Sequence, residues 1–196
     1  APQFQYVASK LLNYYIRKEI FGKANDLPHL GKLINKNVKK GIYDPIILEK
    51  YDREDIDMIN DIIKHERDFK LSFGGIQQMV DKYLLQDRTK GELFETPQYA
   101  YIVIAMTLFA DMDHGKRINQ IRKFYNDIST FKISLPTPVM CGVRTKVRQY
   151  SSCVLLDVGD GIDSIFATNH AMGRYIAQRA GIGLNFGRLR AIGSSI

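Results

Sequence analysis

Residues 152–186 read SCVLLDVGDGIDSIFATNHAMGRYIAQRAGIGLNF, and this stretch decides the fold. Residues 152–158 are apolar and typical of a strand, residues 160–178 have the spacing of a helix, and residues 181–186 suit a second short strand. A strand, a helix and a strand in this order predict two parallel neighbouring strands joined by a right-handed crossover. The C-terminal third therefore opens an α/β sheet or barrel.

The residues before this stretch are predicted to be mainly helical. Apolar spacing indicates helices at 4–20, 30–40, 73–83, 98–110 and 117–129, and a further helix capped by Asp52. One face of the first helix carries the apolar residues Val7, Leu11, Leu12, Tyr15 and Ile16. Thr96 followed by Pro97 is a strong helix start. The helix after it is apolar nearly all round, so we expect it to be buried.

Strand signals are few in this helical region. Residues 83–85 and 93–94 flank a turn and predict a small hairpin, and residues 131–135 predict a short strand that stops at Pro136. We therefore divide the chain into residues 1–20, a helical region at 21–130, and the start of an α/β domain at 131–196.

Composition narrows the class of protein. The 196 residues are 45% hydrophobic and 25% charged, as in an ordinary globular protein, and no apolar run is long enough to span a membrane. The net charge of +7 favours anionic partners. The basic residues, among them Arg144, Lys146 and Arg148, form no single stripe, so we interpret them as solvated residues with local phosphate contacts and expect no direct nucleic-acid binding.

The cysteines and the chain ends carry two further expectations. Two cysteines without a secretory signal indicate a reducing, cytoplasmic compartment. The sequence lacks an initiator Met and stops after only a few strands, and so small a parallel sheet cannot cover both of its faces. We therefore expect the chain to be a piece of a longer protein.

A thiol at a strand end is the first candidate for chemistry. Cys153 follows two serines and suits a nucleophile or a redox group, although free cysteines are also often plain buried apolar residues. No His lies at a spacing that indicates a Cys–His pair. A disulfide between Cys141 and Cys153 is conceivable, but only geometry decides it.

A glycine- and arginine-rich segment at 179–190, RAGIGLNFGRLR, is the second candidate. Glycines permit close backbone approach to a phosphate and arginines bind it, yet the spacing departs from the dinucleotide fingerprint GxGxxG. A turn with solvated arginines explains the segment equally well.

Acidic residues and histidines are the remaining candidates. The acidic residues after the strand, Asp157, Asp160 and Asp163, suit a ribose hydroxyl or a metal, or else cap the next helix and favour its dipole. The four histidines, His29, His65, His114 and His170, lie far apart in sequence, so we predict no metal site.

Several stretches together resemble one family. They are residues 129–140 (STFKISLPTPVM), 142–145 (GVRT), 151–155 (SSCVL), 178–183 (QRAGIG) and 187–190 (GRLR). They are similar to the large catalytic subunit of class I ribonucleoside-diphosphate reductases of bacteria and phages, with the first three resembling early barrel strands. Residues 82–84 and 122–125 also fit, so the resemblance covers nearly the whole chain.

The resemblance implies a fold and an activity. The fold is a mainly helical N-terminal region followed by the first strands of a truncated ten-stranded α/β barrel. The activity is the replacement of a ribose 2′-hydroxyl by hydrogen through thiyl-radical chemistry, with Cys153 as one of two thiols that end as a disulfide. Thr137 matches a residue at the substrate phosphate, Ser152 a hydrogen bond near the ribose, and Gly181 a close backbone approach to it.

The resemblance also implies allosteric control. Asp160, Gly161 and Ile162 match an effector site in which Asp160 contacts the sugar of a deoxynucleoside triphosphate and Arg190 its phosphate. Lys18 matches a residue of an N-terminal ATP-cone, of which residues 1–20 would be a remnant.

The implied partners and cofactors follow from the same resemblance. They are ribonucleoside diphosphate substrates, dNTP and ATP effectors with Mg²⁺, a small subunit whose dimetal centre supplies the radical, thioredoxin or glutaredoxin as reductant, and a second copy in a homodimer. We expect no cofactor bound directly by this segment and no reductase activity of the segment alone, because the radical cysteine and the partner thiol would lie beyond Ile196. A nucleotide-binding regulatory module without catalysis is the alternative, and a general nucleic-acid binder a third interpretation.

Overall fold

The computed structural model describes residues 3–147, 149–178 and 180–195. Three residues named above, Arg148, Arg179 and Ile196, lie outside the described residues. The chain divides into two compact units, a helical unit at 1–148 and an α/β unit at 149–196. This division falls later than the boundary expected at 131.

The helical unit contains eight α-helices in its described part. They are α1 (Phe4–Phe21), α2 (Leu30–Lys39), α3 (Ile46–Lys50), α4 (Arg53–Asn60), α5 (Phe73–Gln78), α6 (Pro97–Leu108), α7 (His114–Ser129) and α8 (Thr137–Gly142). A 3₁₀ turn (His65–Lys70) precedes α5, and a π turn (Met79–Tyr83) continues it. Two short antiparallel strands, β1 (Gln86–Asp87) and β2 (Glu92–Leu93), form the predicted hairpin.

Helix α6 forms the centre of the helical unit. Ten of its 12 residues are buried, from Pro97 to Met106, and it packs against α7. It begins where predicted, with Thr96 at the N-cap and Pro97 in the first turn. Asp52 caps α4 as expected, because its side chain accepts the Asp55 N–H at 2.8 Å. The local capping signals were therefore read correctly.

Only part of the apolar face predicted for α1 faces the core: Ile16 is buried and Leu12 packs against the core. Leu11 and Tyr15 are exposed, whereas Asn13 and Arg17 are buried. The reason is a long-range contact with the 3₁₀ turn: Asn13 donates a hydrogen bond to the Asp68 carbonyl oxygen, and Arg17 pairs with the Asp68 carboxylate at 3.1 Å. These contacts place Asn13 and Arg17 on the buried side of α1 together with Ile16 and Ile20.

Residues 131–135 do not form the predicted strand. Phe131 has a φ of 63° and follows the last turn of α7. Its N–H donates to the Ile128 carbonyl, and the Lys132 N–H donates to the Asp127 carbonyl at 2.9 Å. This is the pair of hydrogen bonds of a Schellman cap, and it uses backbone groups that a strand would need for its ladder.

The segment after this cap belongs to the helical unit and not to the α/β domain. Residues 137–142, which resemble an early barrel strand in sequence, form helix α8. Met140 and Val143 are buried in the core of the helical unit, and Leu135 packs against that core. Burial of these side chains moves the boundary from 131 to 149.

The α/β unit has the predicted strand, helix and strand. They are β3 (Cys153–Asp157), α9 (Ile162–Ala177) and β4 (Gly181–Asn185). The two strands are parallel, with Cys153 opposite Gly181 and Asp157 opposite Asn185. The fold class is thus confirmed as a helical region followed by the start of a barrel domain, with two strands and no closed barrel in the described part of this unit. No helix among the described residues is long and apolar enough to cross a membrane.

Candidate functional site

The predicted thiol lies at the N-terminal end of the two parallel strands. Cys153 is exposed and stands directly opposite Gly181 in the register. The Gly181 N–H donates to the Ser152 carbonyl oxygen at 2.9 Å. The structure therefore brings together three of the four predicted substrate residues, and both Cys153 and Cys141 are in the thiol form.

Two predicted effector residues meet at the opposite end of the strands. The Arg190 Nε donates to Asp160 Oδ2 at 2.7 Å, and the Arg190 backbone N–H donates to Asp160 Oδ1 at 3.0 Å. The Arg190 guanidinium also donates to the Asp160 carbonyl oxygen and to the Ser195 carbonyl oxygen. Hydrogen bonds from the Arg190 backbone N–H and side chain, together with its positive charge, lower the pKa of the Asp160 carboxyl below its usual value. The carboxylate of Asp160 is therefore ionised near neutral pH.

The start of α9 lies beside this pair. Gly161 is the N-cap residue and Ile162, with 68% of its surface exposed, is the first helical residue. The Ser164 hydroxyl accepts the Gly159 N–H at 3.0 Å. Asp160 is thus not the helix cap, because its carboxylate binds Arg190, while Asp163 lies in the first turn, where a negative charge favours the dipole.

A second ion pair ties the same end of the strands together. The Arg188 Nε lies 2.9 Å from Asp157 Oδ2, and the Asn185 amide donates to Asp157 Oδ1 at 3.0 Å. Asp157 ends β3 and Asn185 ends β4, so these contacts join the two strand ends. Sequence reasoning named Asp157 and Arg188 but did not pair them, because the pairing depends on the strand register.

The thiol and the ion pairs are separated by the length of one strand. Cys153 and Asp157 are the first and last residues of β3. At about 3.3 Å per residue, four steps separate their Cα atoms by roughly 13 Å. The substrate-type and effector-type residues of the α/β unit therefore occupy opposite ends of the strand pair.

The remaining two predicted site residues belong to the helical unit. Thr137 is the first residue of α8 and is half-buried. Lys18 is exposed on α1, and its backbone carbonyl accepts the Gly22 N–H at 2.8 Å. Their assignment to a substrate phosphate and to an ATP-cone stays a prediction.

The structure corrects the interpretation of one basic residue as solvated. Arg144, interpreted as solvated, has no exposed surface and pairs with the equally buried carboxylate of Glu95. The Tyr43 hydroxyl also donates to Glu95, at 2.7 Å. Because these partners lie about 50 residues apart or more, local patterns gave no signal for a buried ion pair.

Comparison with known families accounts for the two compact units. The family described as "Ribonucleotide reductase, all-alpha domain" matches residues 69–148, and the family described as "Ribonucleotide reductase, barrel domain" matches residues 151–196. These two matches meet where the compact units divide. The chain belongs to the ribonucleotide reductase family. The resemblance inferred from the motifs is thus confirmed.

Individual relatives of the ribonucleotide reductase family match the whole chain. It is 45% identical over 196 residues to ribonucleoside-diphosphate reductase 1 subunit alpha of Salmonella typhimurium and, likewise, of Escherichia coli. It is 41% identical over 198 residues to the ribonucleoside-diphosphate reductase subunit alpha of Enterobacteria phage T4. Each match covers 100% of this chain and 26% of the relative, so the chain spans about a quarter of the length of these relatives.

Proposed function

We propose that this chain is the part of a ribonucleoside-diphosphate reductase alpha subunit that carries one redox thiol and one nucleotide-effector site. The observation that carries the proposal is the exposed Cys153 beside Ser152 and Gly181, one strand length from the Asp160–Arg190 pair. The identity of 41–45% to alpha subunits over the whole chain supports it.

Cys153 supplies reducing equivalents in this proposal. Removing the 2′-hydroxyl of a ribonucleoside diphosphate takes two electrons, and two thiols supply them by forming one disulfide. Cys153 is one of these thiols, and the other comes from outside this chain. The strand-end position suits the role, because the thiol is exposed and the backbone of Gly181 adds no side chain beside it.

Ser152, Gly181 and Thr137 bind the substrate in this proposal. Ser152 hydrogen-bonds near the ribose, the Gly181 backbone approaches it closely, and Thr137 contacts the phosphate. The exposed position of Ser152 and the half-buried N-terminal position of Thr137 on α8 are compatible with these contacts.

The effector site is built from Asp160, Gly161, Ile162 and Arg190. The carboxylate of Asp160 accepts hydrogen bonds from a deoxyribose hydroxyl, and the Arg190 guanidinium binds a phosphate of a dNTP accompanied by Mg²⁺. In the structure these two side chains bind each other, and 38% of the Arg190 side chain and 37% of the Asp160 side chain are exposed. A nucleotide therefore has to exchange the Asp160–Arg190 contacts for its own. Lys18 would contribute to a separate ATP site in a remnant of the ATP-cone at residues 1–20.

The proposal extends to the partners of the complete enzyme. A small subunit with a dimetal centre supplies the radical, thioredoxin or glutaredoxin reduces the disulfide, and two copies of the alpha subunit form a homodimer in the cytoplasm. The names of the relatives as alpha subunits support a second type of subunit. The helical unit and the α/β unit are then parts of the helical and barrel domains of one catalytic chain.

Substitution of Cys153 by serine in the complete alpha subunit tests the proposal. Turnover with thioredoxin as reductant is expected to fall to background, because serine supplies no reducing equivalents, while calorimetry shows unchanged dTTP binding. Cys141→Ser is the matched control and should retain turnover, since the proposal gives the Cys141 thiol neither a redox nor a substrate-binding role. Normal turnover of Cys153→Ser would refute the assignment of this thiol.

The second candidate is a regulatory nucleotide-binding module without catalysis. The Asp160–Arg190 pair favours it, because both residues lie within the α/β unit and need no redox partner. The same experiment separates the candidates: dTTP binding with no turnover of the unsubstituted complete protein would support the module.

A further inference from the structure

A short turn at residues 186–190 joins the end of β4 to Arg190. Within it, the Leu189 N–H donates to the Phe186 carbonyl oxygen at 3.0 Å. At its end, the Arg190 backbone N–H donates to Asp160 Oδ1 at 3.0 Å, and the Arg190 Nε donates to Asp160 Oδ2 at 2.7 Å. The position of Arg190 therefore depends on what holds this turn beside the residues that follow β3.

Three side-chain contacts attach the first part of the turn to the strand ends. Asp157 Oδ2 lies 2.9 Å from the Arg188 Nε, and Asp157 Oδ1 accepts the Asn185 side-chain amide at 3.0 Å. The Asn185 side-chain oxygen accepts the Gly187 N–H at 3.0 Å. A Cβ at residue 187 would lie only 3.2 Å from that oxygen, so the turn is closely fitted there. We call the contacts of Asp157, Asn185 and Arg188 the turn anchor.

We propose that Asp157, Asn185 and Arg188 are positioning residues of the nucleotide-effector site. They hold residues 186–190 in place, so that Arg190 meets a nucleotide phosphate beside Asp160. This inference rests on the proposed effector site and deepens it, because none of the three residues is among those proposed to contact the nucleotide.

The exchange of contacts at Asp160 and Arg190 explains why the turn anchor matters. A bound nucleotide replaces the contact between these two side chains with contacts of its own, so that contact no longer holds the turn. The turn anchor uses different side chains and stays intact during the exchange. A turn that is already ordered loses less conformational freedom when the nucleotide binds, and this strengthens the affinity.

The substitution Asp157→Asn separates positioning from a simple effect of charge. Removing a carboxylate near a triphosphate reduces repulsion, so charge alone predicts that the variant binds dTTP more tightly. Positioning predicts weaker binding. In either orientation of its side-chain amide, an asparagine at 157 turns an NH₂ group towards a donor, either Arg188 Nε or the Asn185 amide, and loses that contact.

Calorimetric titration of the complete alpha subunit with dTTP tests the turn anchor. Asp157→Asn is expected to raise the Kd for dTTP by roughly threefold to tenfold, as the loss of one charged hydrogen bond at a partly exposed site would. Arg188→Met is also expected to raise it. The double variant should bind no more weakly than the weaker single variant, because both substitutions remove the same contact. Additive losses would instead mean that Arg188 contacts the nucleotide itself, and would overturn the positioning role.

Turnover distinguishes positioning from general damage to the α/β unit. In Asp157→Asn the dTTP concentration that gives half-maximal turnover is expected to rise, while turnover at saturating dTTP equals that of the unsubstituted subunit. Glu92→Gln is the matched control. Glu92 is 46% exposed and pairs with a cation, much as Asp157 is 42% exposed and pairs with Arg188. Because Glu92 lies in the hairpin of the helical unit, its substitution should leave the dTTP affinity unchanged.

The outcomes separate this inference from the proposed function. Unchanged or tighter dTTP binding by Asp157→Asn, reduced turnover of that variant at saturating dTTP, or an equal loss of affinity in Glu92→Gln overturns the positioning role and leaves the effector site standing. Absence of dTTP binding by the unsubstituted subunit refutes the effector site itself, and the inference with it.

Discussion

Replacing Arg144 by methionine is expected to destabilise the helical unit severely, because it leaves the carboxylate of Glu95 buried without its cationic partner. Both side chains have no exposed surface. Arg144 Nε donates to both Glu95 oxygens at 3.0 Å, and Nη2 donates to the Tyr83 carbonyl at 2.9 Å. In the variant, the donors that Glu95 keeps among the described residues are the Tyr43 hydroxyl and the Leu85 N–H.

The magnitude follows from the cost of an uncompensated buried charge. Breaking a buried ion pair by removing one partner costs about 3–5 kcal/mol in unfolding free energy. Adding Glu95→Gln removes the charge. The glutamine oxygen can accept from the Leu85 N–H, and its NH2 group, at the position of the other oxygen, can donate to the Tyr43 hydroxyl oxygen. The double variant is therefore expected to be more stable than Arg144→Met alone, although it is less stable than the original chain.

Urea unfolding followed by far-ultraviolet circular dichroism measures these differences. An exposed ion pair provides the control: Lys40 and Glu92 are 41% and 46% exposed, so Lys40→Met should cost no more than about 1 kcal/mol. A loss below about 1 kcal/mol for Arg144→Met, or a double variant less stable than the single one, would refute the reasoning.

Two further predictions concern pH and a glycine. Burial raises the pKa of Asp68 to about 6 from 3.8, and burial with the nearby Arg17 charge lowers the pKa of His65 to about 4 from 6.5. Folding strengthens proton binding at Asp68, so the contribution of Asp68 to stability is lost as the pH rises from 3.8 to about 6. Folding weakens proton binding at His65, so the contribution of His65 to stability is lost as the pH falls from 6.5 to about 4. Each shift amounts to roughly 3 kcal/mol, and the two oppose each other. In His65→Gln the contribution of Asp68 remains, so the urea midpoint should fall as the pH rises. In Asp68→Asn the contribution of His65 remains, so the midpoint should fall as the pH falls. Urea midpoints that do not change with pH in either variant would contradict this reasoning. Gly159→Ala should destabilise the α/β unit by about 1 kcal/mol, because a Cβ there would lie 2.6 Å from Ser164 Oγ and displace the hydroxyl that accepts the Gly159 N–H. Adding Ser164→Ala provides the check, since the glycine substitution should then cost less.

Features set by neighbouring residues were predictable from the sequence. The caps at Asp52 and Thr96, the buried helix α6 and the parallel pair β3 and β4 follow from local spacing, and the structure has them. The Schellman cap after α7 was missed because its left-handed residue is Phe131 and not the glycine that usually marks this motif.

Features set by distant residues were not predictable. The inward face of α1 depends on Asp68, which is 51 residues from Arg17. Asp160 and Arg190 were both named as effector residues, yet their mutual ion pair spans 30 residues and depends on how β3 and β4 align. One sequence gives the chemistry of such residues but not their separation in space.

The sheet of the α/β unit has a consequence for handling the protein. Within the described residues, β3 and β4 pair only with each other, so each has an unpaired outer edge. Cys153 lies on the same face as Leu155, whose surface is 87% exposed. Unpaired edges recruit strands from other molecules, and an apolar face strengthens that contact. Two copies joined in this way would bring exposed Cys153 thiols together, so a reductant is expected to limit disulfide formation between copies.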